Sequence, residues 1–157
     1  MPPPLLLDLP TMDLTQVVLT QEAIYRYLPH QFEFQVLDGV CYLDKERNQV
    51  VAFADVGADA WWVRGHVPGR PLLPGVLMLE MAAQTSAIVA KLRGVDAFIA
   101  FGGVEGCKFR EPVVPPARLY LVGAGVDDRP RRIVSDTQGV VDGRLIFEAR
   151  ITGMPMA

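Results

Sequence analysis

A helix that is apolar on every side constrains the fold of this chain more than any other feature. Of the 17 residues from Val76 to Leu92, 12 are apolar, and a helical period of about 3.6 residues spreads them over all faces. Pro74 precedes this helix, and Gly94 follows a last turn that carries Lys91. A helix of this kind has to be enclosed, so the sequence predicts that other elements wrap around it.

Strand-length segments on both sides of the helix can supply the wrapping layer. β-Branched and aromatic residues recur in short runs that are separated by turn residues. The predicted strands are residues 34–37, 40–43, 50–56, 97–101, 104–109, 118–126, 131–140 and 144–152. A short helix at residues 21–28, capped by Thr20 and stopped by Pro29, is predicted before them.

Two turn signals indicate how neighbouring strands are joined. Asp142-Gly143 is typical of a two-residue hairpin turn, and residues 127–130 predict a second turn. Consecutive strands should therefore pair antiparallel. A chain of 157 residues has the size of one domain. We expect a single α+β domain over residues 1–157, in which residues 1–19 form a Pro-rich N-terminal arm.

Charge and composition exclude several classes of protein. The formal net charge of -3 provides no basic surface for nucleic acid. The two cysteines lack the spacing of a zinc site or a disulfide framework, which suits a reducing cytoplasm. The three-leucine run near the start has no basic segment before it and is interrupted by Asp8, unlike a signal peptide. Residues 76–92 contain five polar residues, too many for a comfortable membrane span.

The segment from Gly65 to Gly75 is the most restricted part of the sequence. It has three prolines and three glycines in eleven residues and leads directly into the long helix. Proline removes backbone freedom and glycine permits close approach, so this loop can hold His66 in a fixed geometry. The amides of Gly75 and Val76 lie at the positive end of the helix and could stabilise an oxyanion.

Two polar residues on the long helix add a second chemical feature. Glu80 and Gln84 are four residues apart and lie on one helix face in an apolar setting. Burial disfavours a charged carboxyl, so we expect the pKa of Glu80 to be raised, which would let it act as a general acid. A histidine is the natural companion base, and His66 is the candidate.

These residues together resemble a known family signature. The string runs His66-x-Pro68-Gly69-x-Pro71-x-x-Pro74-Gly75-Val76-x-x-x-Glu80-x-x-x-Gln84. It resembles the β-hydroxyacyl-acyl-carrier-protein dehydratases of fatty-acid synthesis, the FabZ type, which have the hot-dog fold. Two flanking segments are similar as well, namely Leu28-Pro29-His30 with the residues that follow it, and Phe109 with Pro112 to Pro115.

The resemblance implies a role for each matching residue. His66 would be the base at C2 of a 3-hydroxyacyl thioester, and Glu80 would assist loss of the C3 hydroxyl as water. Gly75 would donate its amide to the thioester carbonyl, and Gln84 would orient the glutamate or a water. In this family the histidine and the glutamate meet across a dimer interface, so His66 is expected to work with Glu80 of a partner chain.

The resemblance also carries expectations about partners. The substrate would arrive on acyl carrier protein, an acidic partner for which Arg64, Arg70, Lys108 and Arg110 are candidate contacts. No cofactor is implied. We expect no metal, because the chain has only two histidines and no cluster of ligands. The expected assembly is a homodimer or a trimer of dimers.

Alternative interpretations remain open at this point. A non-catalytic hot-dog subunit could keep the acyl pocket without turnover, and a hot-dog thioesterase could act on the same substrate. His30 is more typical of a cap or a pocket wall than of a catalyst. Cys107 has no paired base in the sequence and is expected to be a small buried apolar residue.

Overall fold

The computed structural model describes residues 1–157 and contains three α-helices. Helix α1 is Gln21–Tyr27, α2 is Val63–His66 and α3 is Gly75–Leu92. The side chain of Thr20 accepts a hydrogen bond from the amide of Ala23 and caps α1, as predicted. Helix α3 matches the predicted long helix. It ends before Gly94, whose φ of 105° favours glycine.

Seven strands form one antiparallel sheet. Their spatial order is β1-β2-β3-β5-β6-β7-β4, so β4 lies at an edge of the sheet. The strands are β1 Leu19–Thr20, β2 Gly39–Asp44, β3 Gln49–Val56, β4 Phe98–Phe109, β5 Ala117–Arg129, β6 Arg132–Val141 and β7 Arg144–Met156. The predicted turn at Asp142-Gly143 is confirmed, since both residues have the positive φ of a type I′ turn, 50° and 75°.

The sheet wraps around α3, which confirms the predicted α+β architecture. Helix α3 packs mainly against β3, β5, β6 and β7. Its length and apolar composition alone would also suit a membrane span, but it is a core helix with half of its residues buried. The enclosure is incomplete, because Val76 at its start is 72% exposed.

The N-terminal arm covers the outer face of the sheet. Leu9 is buried against a small apolar cluster that includes Val51, Phe53 and Val122. The buried side chain of Gln138 holds the arm with two hydrogen bonds, since its oxygen accepts from the amide of Leu6 and its nitrogen donates to the carbonyl of Pro4. The domain therefore has apolar contacts on both faces of its sheet.

Three local predictions were wrong. Residues 34–37 form no strand. The preceding residues Phe32–Phe34 form a 3-10 turn. Backbone groups of the segment bond to side chains instead of to another strand. The amide of Leu37 donates to the Tyr25 hydroxyl, and the carbonyl of Phe34 accepts from the Gln84 side-chain amide. The predicted strands at residues 97–101 and 104–109 are one strand, β4, which starts at Phe98, because a register shift between Phe101 and Gly103 carries the strand across the glycines that separate them. Strand β5 includes residues 127–129 of the expected turn, and the turn lies at Pro130-Arg131 instead.

Candidate active site

The ring of His66 is held by the loop that follows it. His66 ends the short helix α2, and its Nδ1 lies 2.9 Å from the carbonyl oxygen of Leu72. A carbonyl only accepts, so Nδ1 carries a proton in this contact, and in the neutral ring Nε2 is then the nitrogen with the free lone pair. His66 is exposed. The ring therefore presents a proton-accepting nitrogen toward the outside of the chain.

The first turn of α3 has free backbone donors. Pro74 precedes the helix and makes no side-chain cap, and its carbonyl accepts from the amides of Leu77 and Met78. The earlier amides, those of Gly75 and Val76, are the first N–H groups of the helix and have no intrahelical acceptor. Glycine avoids crowding here, since a Cβ at Gly75 would lie 3.0 Å from the ring of Phe109. The arrangement suits a binding position for a carbonyl oxygen.

The carboxyl group of Glu80 is held by two side chains. Its Oε1 accepts a hydrogen bond of 2.9 Å from Nε2 of Gln84 and lies 3.3 Å from Nε2 of His30. The contact with His30 lowers the pKa of Glu80, and the bond from Gln84 acts in the same direction against the effect of burial. The expected rise of this pKa was therefore wrong. Hydrogen bonds to the carboxylate outweigh desolvation.

Gln84 is the centre of a buried hydrogen-bond network. Its side chain is 1% exposed and also donates to the carbonyl of Phe34, while its Oε1 accepts from the hydroxyl of Tyr25 at 2.7 Å. The same hydroxyl accepts from the amide of Leu37, and burial raises the pKa of Tyr25. Because both ends of its amide are satisfied, Gln84 has a fixed orientation and can fix that of Glu80.

His30 is the site residue whose role sequence reasoning missed. It was interpreted as a cap or a pocket wall. Its ring does line the pocket, edge-on to Tyr25, but it also bonds Glu80. Its Nδ1 is buried without a hydrogen-bond partner. The linear signals were its rarity as one of two histidines and its place in the Leu28-Pro29-His30 segment that resembles the family, but neither indicated contact with Glu80, which lies 50 positions away in the chain.

A cavity of about 150 Å³ opens beside these groups. His30, Glu80 and Gln84 form its polar end, and most of its remaining lining is apolar. Neither His66 nor Gly75 is among the lining residues. One chain therefore brings Glu80, Gln84 and His30 together, whereas His66 and Gly75 belong to the neighbouring loop and helix start. No group of three or more His, Cys, Asp or Glu side chains is arranged to hold a metal ion.

Comparison with known proteins shows the family to which the chain belongs. The FabA-like domain matches residues 28–150. The chain belongs to the FabA-like family. It is 32% identical over 140 residues to the 3-hydroxyacyl-[acyl-carrier-protein] dehydratase FabZ of Polynucleobacter necessarius, covering 88% of this chain and 93% of that protein. It is 34% identical to the FabZ dehydratase of Campylobacter jejuni, covering 83% and 93%.

Solved structures establish the fold of this FabA-like chain as a hot-dog. The dehydratase heterocomplex ApeI:P from Xenorhabdus doucetiae superposes with a TM-score of 0.73 at 16% identity, over 85% of this chain and 91% of that chain. A hypothetical thioesterase with coenzyme A from Streptococcus pneumoniae gives a TM-score of 0.61 at 15% identity, over 75% and 84%. At these identities the likeness concerns the fold alone.

Proposed function

We propose that this protein is a 3-hydroxyacyl-[acyl-carrier-protein] dehydratase of fatty-acid biosynthesis. It converts a 3-hydroxyacyl thioester reversibly to the trans-2-enoyl thioester and water. The observation that carries the proposal is the 32% identity to a FabZ dehydratase over 88% of the chain. The two free cysteines, Cys41 and Cys107, suit a reducing cytoplasm.

The chemistry divides between a base and an acid. Nε2 of His66 takes a proton from C2, the electrons of that C–H bond form the new C=C bond, and the C3–O bond breaks. The protonated form of Glu80 donates its proton to the departing hydroxyl, which leaves as water, and Glu80 becomes the carboxylate. The Gly75 amide donates to the thioester carbonyl and stabilises the negative charge that develops there. In the hydration direction the carboxylate of Glu80, the form favoured by its lowered pKa, accepts a proton from water. The hydroxide bonds to C3 as the C=C bond opens, and protonated His66 returns a proton to C2.

The catalytic unit is a homodimer in which His66 of one chain meets Glu80 of its partner. Within one chain His66 stands outside the cavity that Glu80 lines. Strand β4 leaves one edge of the sheet unpaired, and its Phe98, Phe101 and Phe109 are 47–55% exposed. An unpaired, apolar edge is ready to pair with a second copy. Two copies give two complete sites.

The carrier protein docks near the mouth of the site through basic side chains. Arg64, Arg70 and Lys108 are exposed and suit contact with an acidic partner. Arg110 is less suitable than its sequence suggests, because its Nε lies 2.9 Å from a carboxylate oxygen of Glu148. The docking proposal therefore retains three of the four predicted basic residues.

Mixing two inactive variants tests the reaction and the shared site together. We expect the wild-type protein to change the enoyl absorbance of a 3-hydroxyacyl thioester without releasing free thiol. His66→Ala and Glu80→Gln should each lose about 100- to 10,000-fold in rate, as removal of a general base or acid does. After subunit exchange, a mixture should recover part of the activity, because some dimers then carry one intact His66–Glu80 pair.

The controls separate the alternatives. Thiol release by the wild type would indicate a thioesterase, and absence of any turnover would indicate an acyl-binding subunit. Subunit exchange is followed independently by mass spectrometry of isotope-labelled and unlabelled chains. A lack of recovery after demonstrated exchange would contradict a site shared between two chains.

A further inference from the structure

Tyr25 is a polar residue that the proposed reaction does not use. It belongs to α1, and it is not among the residues that line the cavity. Its ring lies edge-on to that of His30, with centroids 6.3 Å apart. Its hydroxyl oxygen lies 2.9 Å from the amide nitrogen of Leu37 and 2.7 Å from Oε1 of Gln84. The hydroxyl therefore joins α1 to α3 and to the segment that follows His30.

The chemistry of the groups fixes the direction of both hydrogen bonds. A backbone amide only donates, so the hydroxyl oxygen accepts from Leu37 and its own proton goes to Gln84. The atom of Gln84 that receives this proton has to be the carbonyl oxygen. Its NH2 group is then left to donate to Glu80 and to the carbonyl of Phe34, each at 2.9 Å. The Tyr25 hydroxyl therefore selects the end of the amide that meets Glu80.

The contact with Tyr25 keeps Gln84 in one orientation. If the amide were flipped, its oxygen would meet two acceptors, the carboxylate of Glu80 and the carbonyl of Phe34. If the Tyr25 hydroxyl were absent, the amide oxygen would be buried without a donor, because Gln84 is 1% exposed. The side chain would then gain by rotating toward another donor, since an unpaired buried acceptor is costly.

The orientation of Gln84 decides which oxygen of Glu80 is free. Gln84 and His30 both approach Oε1, at 2.9 Å and 3.3 Å. No hydrogen bond within the chain reaches Oε2, and Oε2 is not among the buried unpaired atoms. The protein therefore holds Oε1 and leaves Oε2 open.

We propose that Tyr25 is a positioning residue of the reaction. Its hydroxyl holds Gln84 so that Gln84 keeps Oε1 of Glu80 and leaves Oε2 to exchange the proton with the C3 oxygen. The proposal rests on the proposed function, which assigns Glu80 to the C3 hydroxyl. Tyr25 itself makes no contact with the substrate, so its removal should lower kcat and leave KM unchanged.

Tyr25→Phe removes the hydroxyl and keeps the ring. Loss of one orienting hydrogen bond should lower kcat about tenfold. The pKa of Glu80 should rise by about one unit, because its carboxylate loses a firmly held donor. This pKa is measured by NMR titration of 13C-labelled glutamate carboxyl groups, in which the signal missing from Glu80→Gln belongs to Glu80.

Tyr27→Phe is the matched control. Tyr27 lies on the same helix, is 45% exposed and takes no part in the hydrogen bonds around Gln84. Its variant loses the same atom as Tyr25→Phe does. Its kcat and the pKa of Glu80 in it should equal those of the wild type.

A double-mutant cycle shows whether Tyr25 acts through Gln84. In a Gln84→Leu background, Tyr25→Phe should change neither kcat nor the pKa of Glu80 any further, because the connection is already broken. An effect of Tyr25 by way of His30, the titratable neighbour of Glu80, would persist in that background. The strand residues that line the cavity are uncharged, and His66 of the partner chain is the same in every variant.

The outcomes distinguish this proposal from the proposed function. If the wild type turns over no 3-hydroxyacyl thioester, the proposed function is wrong, and the NMR titration still tests the role of Tyr25. An unchanged pKa of Glu80 in folded Tyr25→Phe, or the same rise of this pKa in the Gln84→Leu background, would overturn the proposal.

The wild type decides the matter if Tyr25→Phe does not fold. The hydroxyl proton of Tyr25 and the side-chain amide protons of Gln84 should then shift, in NMR spectra recorded as a function of pH, with the same midpoint as the Glu80 carboxyl group. A hydroxyl proton whose signal does not follow that midpoint would contradict a connected chain from Tyr25 to Glu80.

Discussion

At the scale of single residues, the ionisation of Glu80 depends on two side chains that reach it from different parts of the chain. His30 comes from the segment after α1, and Gln84 lies one turn further along α3. Both favour the carboxylate, so the pKa of Glu80 is lowered. Because this pKa is lower in the folded than in the unfolded protein, ionised Glu80 stabilises the fold above its unfolded pKa. That contribution is lost as the pH falls through the folded pKa.

Replacing His30 tests this control of Glu80. His30→Leu removes the hydrogen bond and leaves the carboxyl in a more apolar setting, so its pKa should rise. The limb of the pH–rate profile that reports Glu80 should then move to higher pH by about one unit, the size expected for losing one hydrogen bond to a charged group. The measurement is kcat as a function of pH with one short substrate.

A conservative variant distinguishes this role from a purely structural one. His30→Gln keeps an N–H donor and should leave the limb close to its wild-type position. Equal shifts in the two variants, or none in either, would mean that His30 does not set the pKa of Glu80.

At the scale of elements, the start of α3 is placed by its contact with the last residue of β4. The ring of Phe109 fills the space in which a side chain at residue 75 would lie. Phe109 in turn stacks on Phe147 of β7, with ring centroids 6.2 Å apart. The glycine therefore lets the helix start, with its free amides, approach the sheet closely. This packing reason adds to the amide role that the resemblance implies for Gly75.

Gly75→Ala should lower activity more than stability. The new Cβ would lie 3.0 Å from the Phe109 ring, and since Phe109 is half exposed it can yield at a cost of about 1 kcal/mol. The displaced helix start should misplace the amide that binds the thioester carbonyl, and a loss of one such donor lowers kcat about 100-fold or more. Thermal unfolding and kcat are measured on the same preparation.

Gly65→Ala is the matched control for this substitution. No atom lies within 4 Å of a Cβ built at Gly65, and the residue is in the short helix α2. Alanine should therefore be tolerated there. A Gly75→Ala protein as active as the Gly65→Ala protein would show that the close approach to Phe109 is not needed for catalysis.

At the scale of the whole molecule, the N-terminal arm lies outside the family domain. The FabA-like match begins at residue 28, whereas the arm packs on the outer face of the sheet through Leu9 and is held by Gln138. The apolar cluster beneath it includes Val51, Phe53 and Val122, all at most 5% exposed. The arm therefore covers a surface that the family domain alone would leave to solvent.

Removal of residues 1–14 should destabilise the domain and leave the reaction intact. Each large apolar side chain returned to water costs about 1.5–3 kcal/mol, so the melting temperature should fall and binding of a hydrophobic dye should increase. At temperatures well below the melting temperature the activity should persist, because no residue of the arm lines the cavity and the arm does not include the loop that carries His66. An unchanged melting temperature would contradict a stabilising role for the arm.

Leu9→Ala provides a milder version of the same test. It keeps the arm and removes one buried side chain, so it should lower the free energy of unfolding by about 2–5 kcal/mol. Gln138 would still hold the backbone of Leu6 and Pro4. A melting temperature between those of the wild type and the deletion is expected.

The sequence by itself determined the elements and the family. The apolar residues around α3 required a wrapping sheet, the hairpin at Asp142-Gly143 was specified by its two residues, and the string from His66 to Gln84 identified the dehydratase resemblance. These features are local, since periodicity, capping and turn preference depend on neighbouring residues.

Only the tertiary structure decided which distant groups meet. It brought His30 to Glu80 across 50 positions, so the pKa of Glu80 is lowered where the sequence predicted a rise. It also placed residues 34–37, predicted to be a strand, in a segment held by hydrogen bonds to side chains. It also left His66 outside the cavity that Glu80 lines. The physical reason is that burial raises the pKa of a carboxyl group, whereas hydrogen bonds to the carboxylate lower it. The balance depends on partners that the curved sheet and α3 bring together.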